Sequence, residues 1–264
     1  MDICDFMYRN ELLSDHGYML GSFDNGGSAS VGTTDSQTTY ENISMFGGKY
    51  FPIINGRYDS TLEFELSICK SDVENPYITP AESADLKQWL CSKKPQEFRM
   101  GGEEYEGVFW IGVFNVEEIR CNSERVGFNL KFISTAPFGY KDRVILNGSV
   151  ESDGVIYVGD TSDEEGFIYP DVVIEPQSSG TLTITNLYDG RKTVVKNCIA
   201  GESITFTHLL QIHSSKSSHN ICDSFNFNFL RINNSYDKHD NIIKFSLPCT
   251  YSISYNPIAK VVMA

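Results

Sequence analysis

The densest collection of metal-binding residue types is HLLQIHSSKSSHNIC, which places His208, His213, His219 and Cys222 within one short segment. Imidazoles and a thiolate are zinc ligands. An offset of five, however, puts His208 and His213 on opposite faces of a strand. The segment therefore reads as a polar loop, and no metal or other cofactor is expected. Paired carboxylates, which run glycoside hydrolysis, occur at Asp163-Glu164-Glu165 and at Glu103-Glu104. Both sit among turn residues and read as solvated turns. No nucleophile elbow, phosphate loop, dinucleotide fingerprint or HExxH motif occurs. A hydrolase would need a converging carboxylate pair in a cleft, and the sequence offers none, so no enzyme is expected.

The elements that would position side chains are mostly strands. STLEFELSICK alternates Leu62, Phe64, Leu66 and Ile68 against Glu63, Glu65 and Ser67, the pattern of a half-buried strand. Val108 to Val116 is almost continuously apolar and is expected to be buried on both faces. Phe6-Met7-Tyr8 and Tyr18-Met19-Leu20 read as a short hairpin around LLSDHG. A polar stretch from Asp24 to Thr39 reads as a loop or arm. ENISMFGGKYFPIING reads as two strands around Gly47-Gly48. One helix is expected in TPAESADLKQWLCSKK. Thr79 is its N-cap, Pro80 takes the first helical position, and Glu82 completes a capping box. Leu86, Trp89 and Leu90 form its apolar stripe.

NLKFISTAPFGYKDR begins as a strand and is stopped by Ala136-Pro137-Phe138-Gly139-Tyr140. Beyond it only short strands recur, at the spacing of an antiparallel sandwich. Among them, SFNFNFL would turn Phe225, Phe227 and Phe229 to one face. The fold class is therefore mainly β: a β-sandwich-like domain with one α-helix over residues 1–136, then a second β-sandwich over 137–264. The last strand, near Tyr251–Tyr255, is the one segment that could return to the first domain.

The chain of 264 residues has no apolar run long enough to span a membrane, and its acidic N-terminus lacks the pattern of a signal peptide. Seven scattered cysteines without CxxC suit reduced thiols and synthesis in a cytoplasm. The formal net charge is −14. Residues 1–135 hold 11 basic and 21 acidic residues, net −10, against −4 for the remainder. No basic stripe exists, which disfavours DNA binding through phosphate neutralisation.

The order of parts resembles the distal tail protein of long-tailed, non-contractile bacteriophages. The resemblance rests on the proline-aromatic junction at Ala136–Tyr140. In the second half it rests on Ile184-Thr185-Asn186, Asp189-Gly190, Gly201-Glu202, Leu230-Arg231-Ile232, Asp240-Asn241 and Tyr255-Asn256-Pro257. NNSYDKHDN is longer than the family's usual loop. The resemblance implies a virion protein at the distal end of the tail, made in the host cytoplasm. Its first domains would form a six-membered ring, and its second, galectin-like domain would project outward. Implied partners are further copies of itself as a homo-hexamer, the major tail tube protein, the tail-tip hub and receptor-binding proteins. DNA would pass through the ring without specific binding.

On that basis the clasp between subunits is assigned to Tyr40, Met45, Phe46, Gly47, Gly48, Tyr50 and Phe51. The channel-facing carboxylates are assigned to Glu103, Glu104, Glu106, Glu117 and Glu118, which would repel DNA phosphates. The alternative function is a carbohydrate-binding host-recognition module in which Tyr157, Tyr169 or Tyr188 stacks on a sugar. Trp89 and Trp110 are expected in the first core instead.

Overall fold

The computed structural model describes residues 5–21, 23, 32–34, 38–43, 53–58, 61–234 and 240–260, with backbone alone at 32–34, 38–43 and 53–57. The chain divides into two compact units, with the break between Tyr140 and Lys141; Lys260 counts with the first.

The first unit is built on an antiparallel sheet in the order Glu11–Leu12, Phe6–Tyr8, Gln96–Met100, Val108–Cys121, Glu124–Ser134, Glu63–Lys70 and Tyr18–Leu20. Gly32–Thr34 joins the outer edge of Glu63–Lys70 beside Tyr18–Leu20. Register decides what the core contains. Phe132 lies opposite Phe64 on one neighbour and Phe114 on the other. Their ring centroids are 4.8 and 5.0 Å away. Phe98 packs on Phe132 at 5.0 Å and on Phe6 at 5.4 Å. Such cross-strand aromatic pairs are the stabilising unit of a sheet. Gly112 makes this possible: a Cβ there would stand 2.5 Å from the Phe132 ring and 2.3 Å from the Ile133 carbonyl.

The helix runs Pro80–Leu90 and starts as its sequence requires. Thr79 Oγ1 accepts from the Glu82 N–H at 3.3 Å, and Glu82 Oε2 accepts from the Thr79 N–H at 2.8 Å. Lys70 adds an ion pair to Glu82 at 2.7 Å and ties the cap to the sheet. That contact, with the Thr79 hydrogen bonds, lowers the Glu82 pKa to about 2. Leu86, Trp89 and Leu90 are buried. Trp89 stacks on Phe6 and donates from Nε1 to the Tyr8 carbonyl at 3.1 Å.

Two expectations for this unit change. Phe6–Tyr8 and Tyr18–Leu20 are not a hairpin with each other. The first pairs with Glu11–Leu12 and Gln96–Met100, and the second with Glu63–Lys70. A 3-10 turn at Ser14–His16 redirects the chain between them. The apolar strand extends to Cys121. Only Val108–Trp110 is buried on both faces; beyond Trp110 burial alternates.

The second unit is a two-sheet sandwich. One sheet has the order Val144–Val150, Cys249–Tyr255, Asp171–Pro176, Ile204–Phe206 and Ile212–Ser214. The other has Val155–Val158, Asn241–Phe245, Gly180–Asn186 and Arg191–Cys198. Inward residues of both, among them Ile174, Ile253, Ile184, Val195 and Phe245, form one core. Cys249–Tyr255 lies inside this sandwich, between Val144–Val150 and Asp171–Pro176.

The Phe225/Phe227/Phe229 stripe does not form. Ile221–Ser224 is a helical turn, and the chain then runs irregularly. Phe225 and Phe229 are buried and touch at 4.9 Å. Phe227 has φ +56° and is 63% exposed. The side chain of Asn226 explains the break. It bonds the Val194 N–H at 3.1 Å and the Lys192 carbonyl at 2.9 Å, and so ends the backbone pairing after the single Val195–Phe225 bridge. Phe225→Ala is expected to destabilise the protein by roughly 3 kcal/mol or more. Phe227→Gly, which relieves the left-handed backbone, is expected to stay within about 0.5 kcal/mol of the parent. Chemical denaturation of the two variants checks the contrast.

Candidate assembly surfaces and polar centres

Of the seven clasp positions, Tyr40 lies on a described strand. Thr38–Ile43 pairs with Ile53–Tyr58 as an antiparallel ribbon, with Tyr40 opposite Gly56. Met45, Phe46, Gly47, Gly48, Tyr50 and Phe51 lie outside the described residues.

The five carboxylates assigned to a channel fall into two groups. Glu103 and Glu104 form a 3-10 turn that Glu106 ends, and all three are exposed. Glu117 and Glu118 lie toward the far end of the following strand. The strand from Val108 to Glu117 alone extends about 30 Å, so the groups cannot form one cluster. Glu117 is exposed. Glu118 is the hub of a charge network: Lys87 at 2.8 Å, Arg125 at 2.9 Å and Arg120 all bind it. These contacts, led by Lys87, hold its carboxyl well below the usual range. It fastens the helix to the sheet, and its charge is balanced there. A cavity of about 280 Å³ is lined by Arg99, Glu103, Tyr105, Glu106 and Val108. Its cation, Arg99, is held by Glu97 at 2.6 Å and lies over the Phe109 ring.

The histidines of the loop segment go separate ways. His208 bonds Asp171 through its backbone N–H and Nδ1, each at 2.8 Å. His213 is exposed on Ile212–Ser214. His219 is buried: Nδ1 faces the Glu202 carboxylate at 2.9 Å and Nε2 faces the Lys196 carbonyl at 2.9 Å. With an acceptor at each nitrogen, the ring is fully satisfied only when it donates from both. Cys222 is exposed, and every described cysteine is a free thiol. Among the described residues no three His, Cys, Asp or Glu side chains converge on a metal position.

Four of the short segments that carried the resemblance, those of Asn186, Asp189, Arg231 and Asn241, meet in the second unit. Asn186 and Asn241, both fully buried, bond side chain to side chain at 2.8 Å. Asn241 also bonds the backbone of Asn233 on both sides, at 2.7 and 2.8 Å. Asp189 binds Arg231 at 2.6 Å and Asn233 at 3.0 Å, and Arg231 covers the Phe167 ring. Burial would raise the Asp189 pKa, but the Arg191 N–H, Arg231 and Asn233 outweigh it and lower it. Tyr255 Oη donates to the Gly159 carbonyl at 2.8 Å, and burial pushes its pKa up to about 12. Glycines with positive φ, Gly190 and Gly201, turn the chain beside Asp189 and Glu202. Sequence reading missed His219 and Asn233 as members of these centres, because a partner 17 or 8 residues away follows no periodicity. Tyr157 and Tyr188 are exposed, whereas Tyr169 packs on Phe167 at 5.4 Å.

These features define a β-rich structural protein made of two units, one an aromatic-cored sheet with a capped helix, the other a sandwich braced by buried polar groups. Residues 1–136 match the sequence profile of a phage tail protein N-terminal domain, and residues 138–255 match that of a phage tail C-terminal domain. The chain belongs to this family of phage tail proteins. Its fold is similar to that of the Dit protein (gp 19.1) of phage SPP1, with a TM-score of 0.64 and 12% identity, over 97% of this chain and 99% of that one. The SPP1 structure is described as a paradigm of the hub adsorption apparatus in phages that infect Gram-positive bacteria. No curated protein matches the sequence.

Glu202 is one of the groups that give the sandwich a pH dependence. Burial raises its pKa, but bonds from His219, the Ile199 N–H and Ser214 more than offset that and leave it lowered. Its contribution is therefore complete above the unfolded value of about 4.3 and is lost as pH falls through the lower folded value. Glu202→Gln is expected to cost roughly 3 kcal/mol at pH 7. The deficit relative to the parent should shrink below about pH 4, where the parent carboxylate protonates as well. Urea unfolding at pH 7 and pH 3 measures both effects.

Proposed function

We propose that this protein is the ring subunit at the distal end of a phage tail. Six copies join the tail tube to the tail-tip hub through their first units and leave a channel for DNA, while the second unit faces outward, available to adhesion components. The protein acts by assembly and performs no catalysis. The observation that carries this reading is the fold likeness to SPP1 Dit along nearly the whole of both chains, supported by a tail-family match in each half. The paired strands Thr38–Ile43 and Ile53–Tyr58 support a clasp. A ribbon of two strands is marginal alone and gains stability from a partner. A heterologous contact whose rotation closes gives a ring.

Deletion of residues 40–58 is expected to abolish ring formation and leave folded monomers, measured by light scattering with and without the tail tube protein. A deletion variant that still forms parent-sized rings would overturn the clasp.

The exposed Glu103, Glu104, Glu106 and Glu117 are the side chains that would face DNA. Screening confines their repulsion to about 10 Å at 0.1 M salt, so only groups lining the passage matter. Replacing all four with lysine is expected to slow DNA ejection from mutant virions while assembly is kept. Unchanged ejection would remove the acidic lumen and leave the ring intact.

A further inference from the structure

The two sides of the sandwich are finished differently. On one side the sheet edges are blunted. Arg191–Cys198 is covered by Phe225 and Asn226, through the Val195–Phe225 bridge and the Asn226 side chain. The other edge strand there, Ile212–Ser214, has only three residues. The opposite side is formed by consecutive strands, Val144–Val150 and Val155–Val158, each paired on one flank only among the described residues. Val144–Val150 is seven residues long, matched along its full length to Cys249–Tyr255, and its sequence VILNGSV holds no charge and no proline. Charge, proline and shortness are the usual guards of an edge, and this strand has none of them. Ile145 is 58% exposed and Tyr157 is 66% exposed. Val144, Leu146 and Val150 pack on the core but remain only partly buried.

We propose that this edge pairs with the same edge of a second copy of the chain, antiparallel and about a two-fold axis at Asn147. An isologous contact must be self-complementary, and this one is. Around Asn147, position 143 meets 151, 144 meets 150, 145 meets 149, and 146 meets 148. Arg143 of each copy then stands opposite Glu151 of the other, so the uncharged strand is bracketed by two ion pairs of the right sign. Arg143 spends one nitrogen on Asp171 and Ser254 and keeps further donors for a second carboxylate. On the core side, Val144 gains Val150 of the second copy, and Leu146 meets the edge of the Tyr251 ring that lies over Gly148. The half-covered edge of the core is thereby closed, and unpaired main-chain groups gain the ladder they lack. Neighbours around a six-membered ring are not related by a two-fold axis. The contact therefore joins free subunits, or copies in two different rings, and doubles the mass of whatever species the first unit forms.

The test uses the full chain and follows mass against concentration by light scattering. The parent is expected to double reversibly. Glu151→Arg sets like charges opposite at both ends and is expected to raise the midpoint concentration about tenfold. The double variant Arg143→Glu/Glu151→Arg restores opposite signs and is expected to return the midpoint toward that of the parent. Circular dichroism confirms that each variant is folded. Asn147→Cys, which faces itself across the axis, is expected to give covalent dimers on mild oxidation beyond those of the parent. Ser149→Cys, which faces Ile145, is not. A parent whose mass stays constant, a Glu151→Arg midpoint equal to that of the parent, equal crosslinking at 147 and 149, or growth into irregular aggregates would each overturn the proposal. None of these outcomes bears on residues 38–58 or on rings of six.

Discussion

The first unit depends on one row of cross-strand contacts, Phe64 against Phe132 against Phe114, with Phe98 packed across it. The side-chain period of a strand is two, so a slip of one residue in any of these strands would turn its phenylalanine to solvent. The row therefore fixes the register of Glu63–Lys70, Val108–Cys121 and Glu124–Ser134 together. It also explains Gly112 in an otherwise bulky strand, since any side chain there would occupy the place of the Phe132 ring. The helix is added to this platform through Trp89 and Phe6, and its orientation is pinned by Glu82–Lys70 at one end and Lys87–Glu118 at the other.

The sandwich is braced differently. Its core mixes aliphatic and aromatic side chains, and buried polar groups that have one satisfactory arrangement add specificity. Asn186–Asn241–Asn233, Asp189–Arg231 and Glu202–His219 each join segments distant in sequence. A buried amide or carboxylate left without its partner costs more than the bond gains when made. These centres thus penalise wrong loop placements more than they stabilise the right one. That division suits a component of a tail, whose surfaces must be presented in fixed geometry.

Charge follows the same logic. The protein carries −14, yet many carboxylates are committed inside the fold. Glu82, Glu118, Asp189 and Glu202 all have lowered pKa values because cations or N–H groups hold them. Glu103, Glu104, Glu106 and Glu117 are exposed instead.

Much of the local structure was legible in the sequence, because local structure answers to local rules. The capping box at Thr79–Glu82, the proline at the helix start, the Leu62–Ile68 alternation and the turn chemistry at Asp189-Gly190 act over a few residues, and each appears where the sequence places it. The β-rich class and the tail-protein family were legible too, the second from the order of short motifs. Tertiary structure alone decided three things. It paired Phe6–Tyr8 with Gln96–Met100 instead of with Tyr18–Leu20, because a buried aromatic row outweighs a short hairpin. It broke the Phe225–Phe229 alternation, because the Asn226 side chain bonds the neighbouring backbone and turns Phe227 outward. And it converted Glu118 from a free charge into a structural tie, because Lys87 and Arg125 reach it from elements that no local pattern brings together.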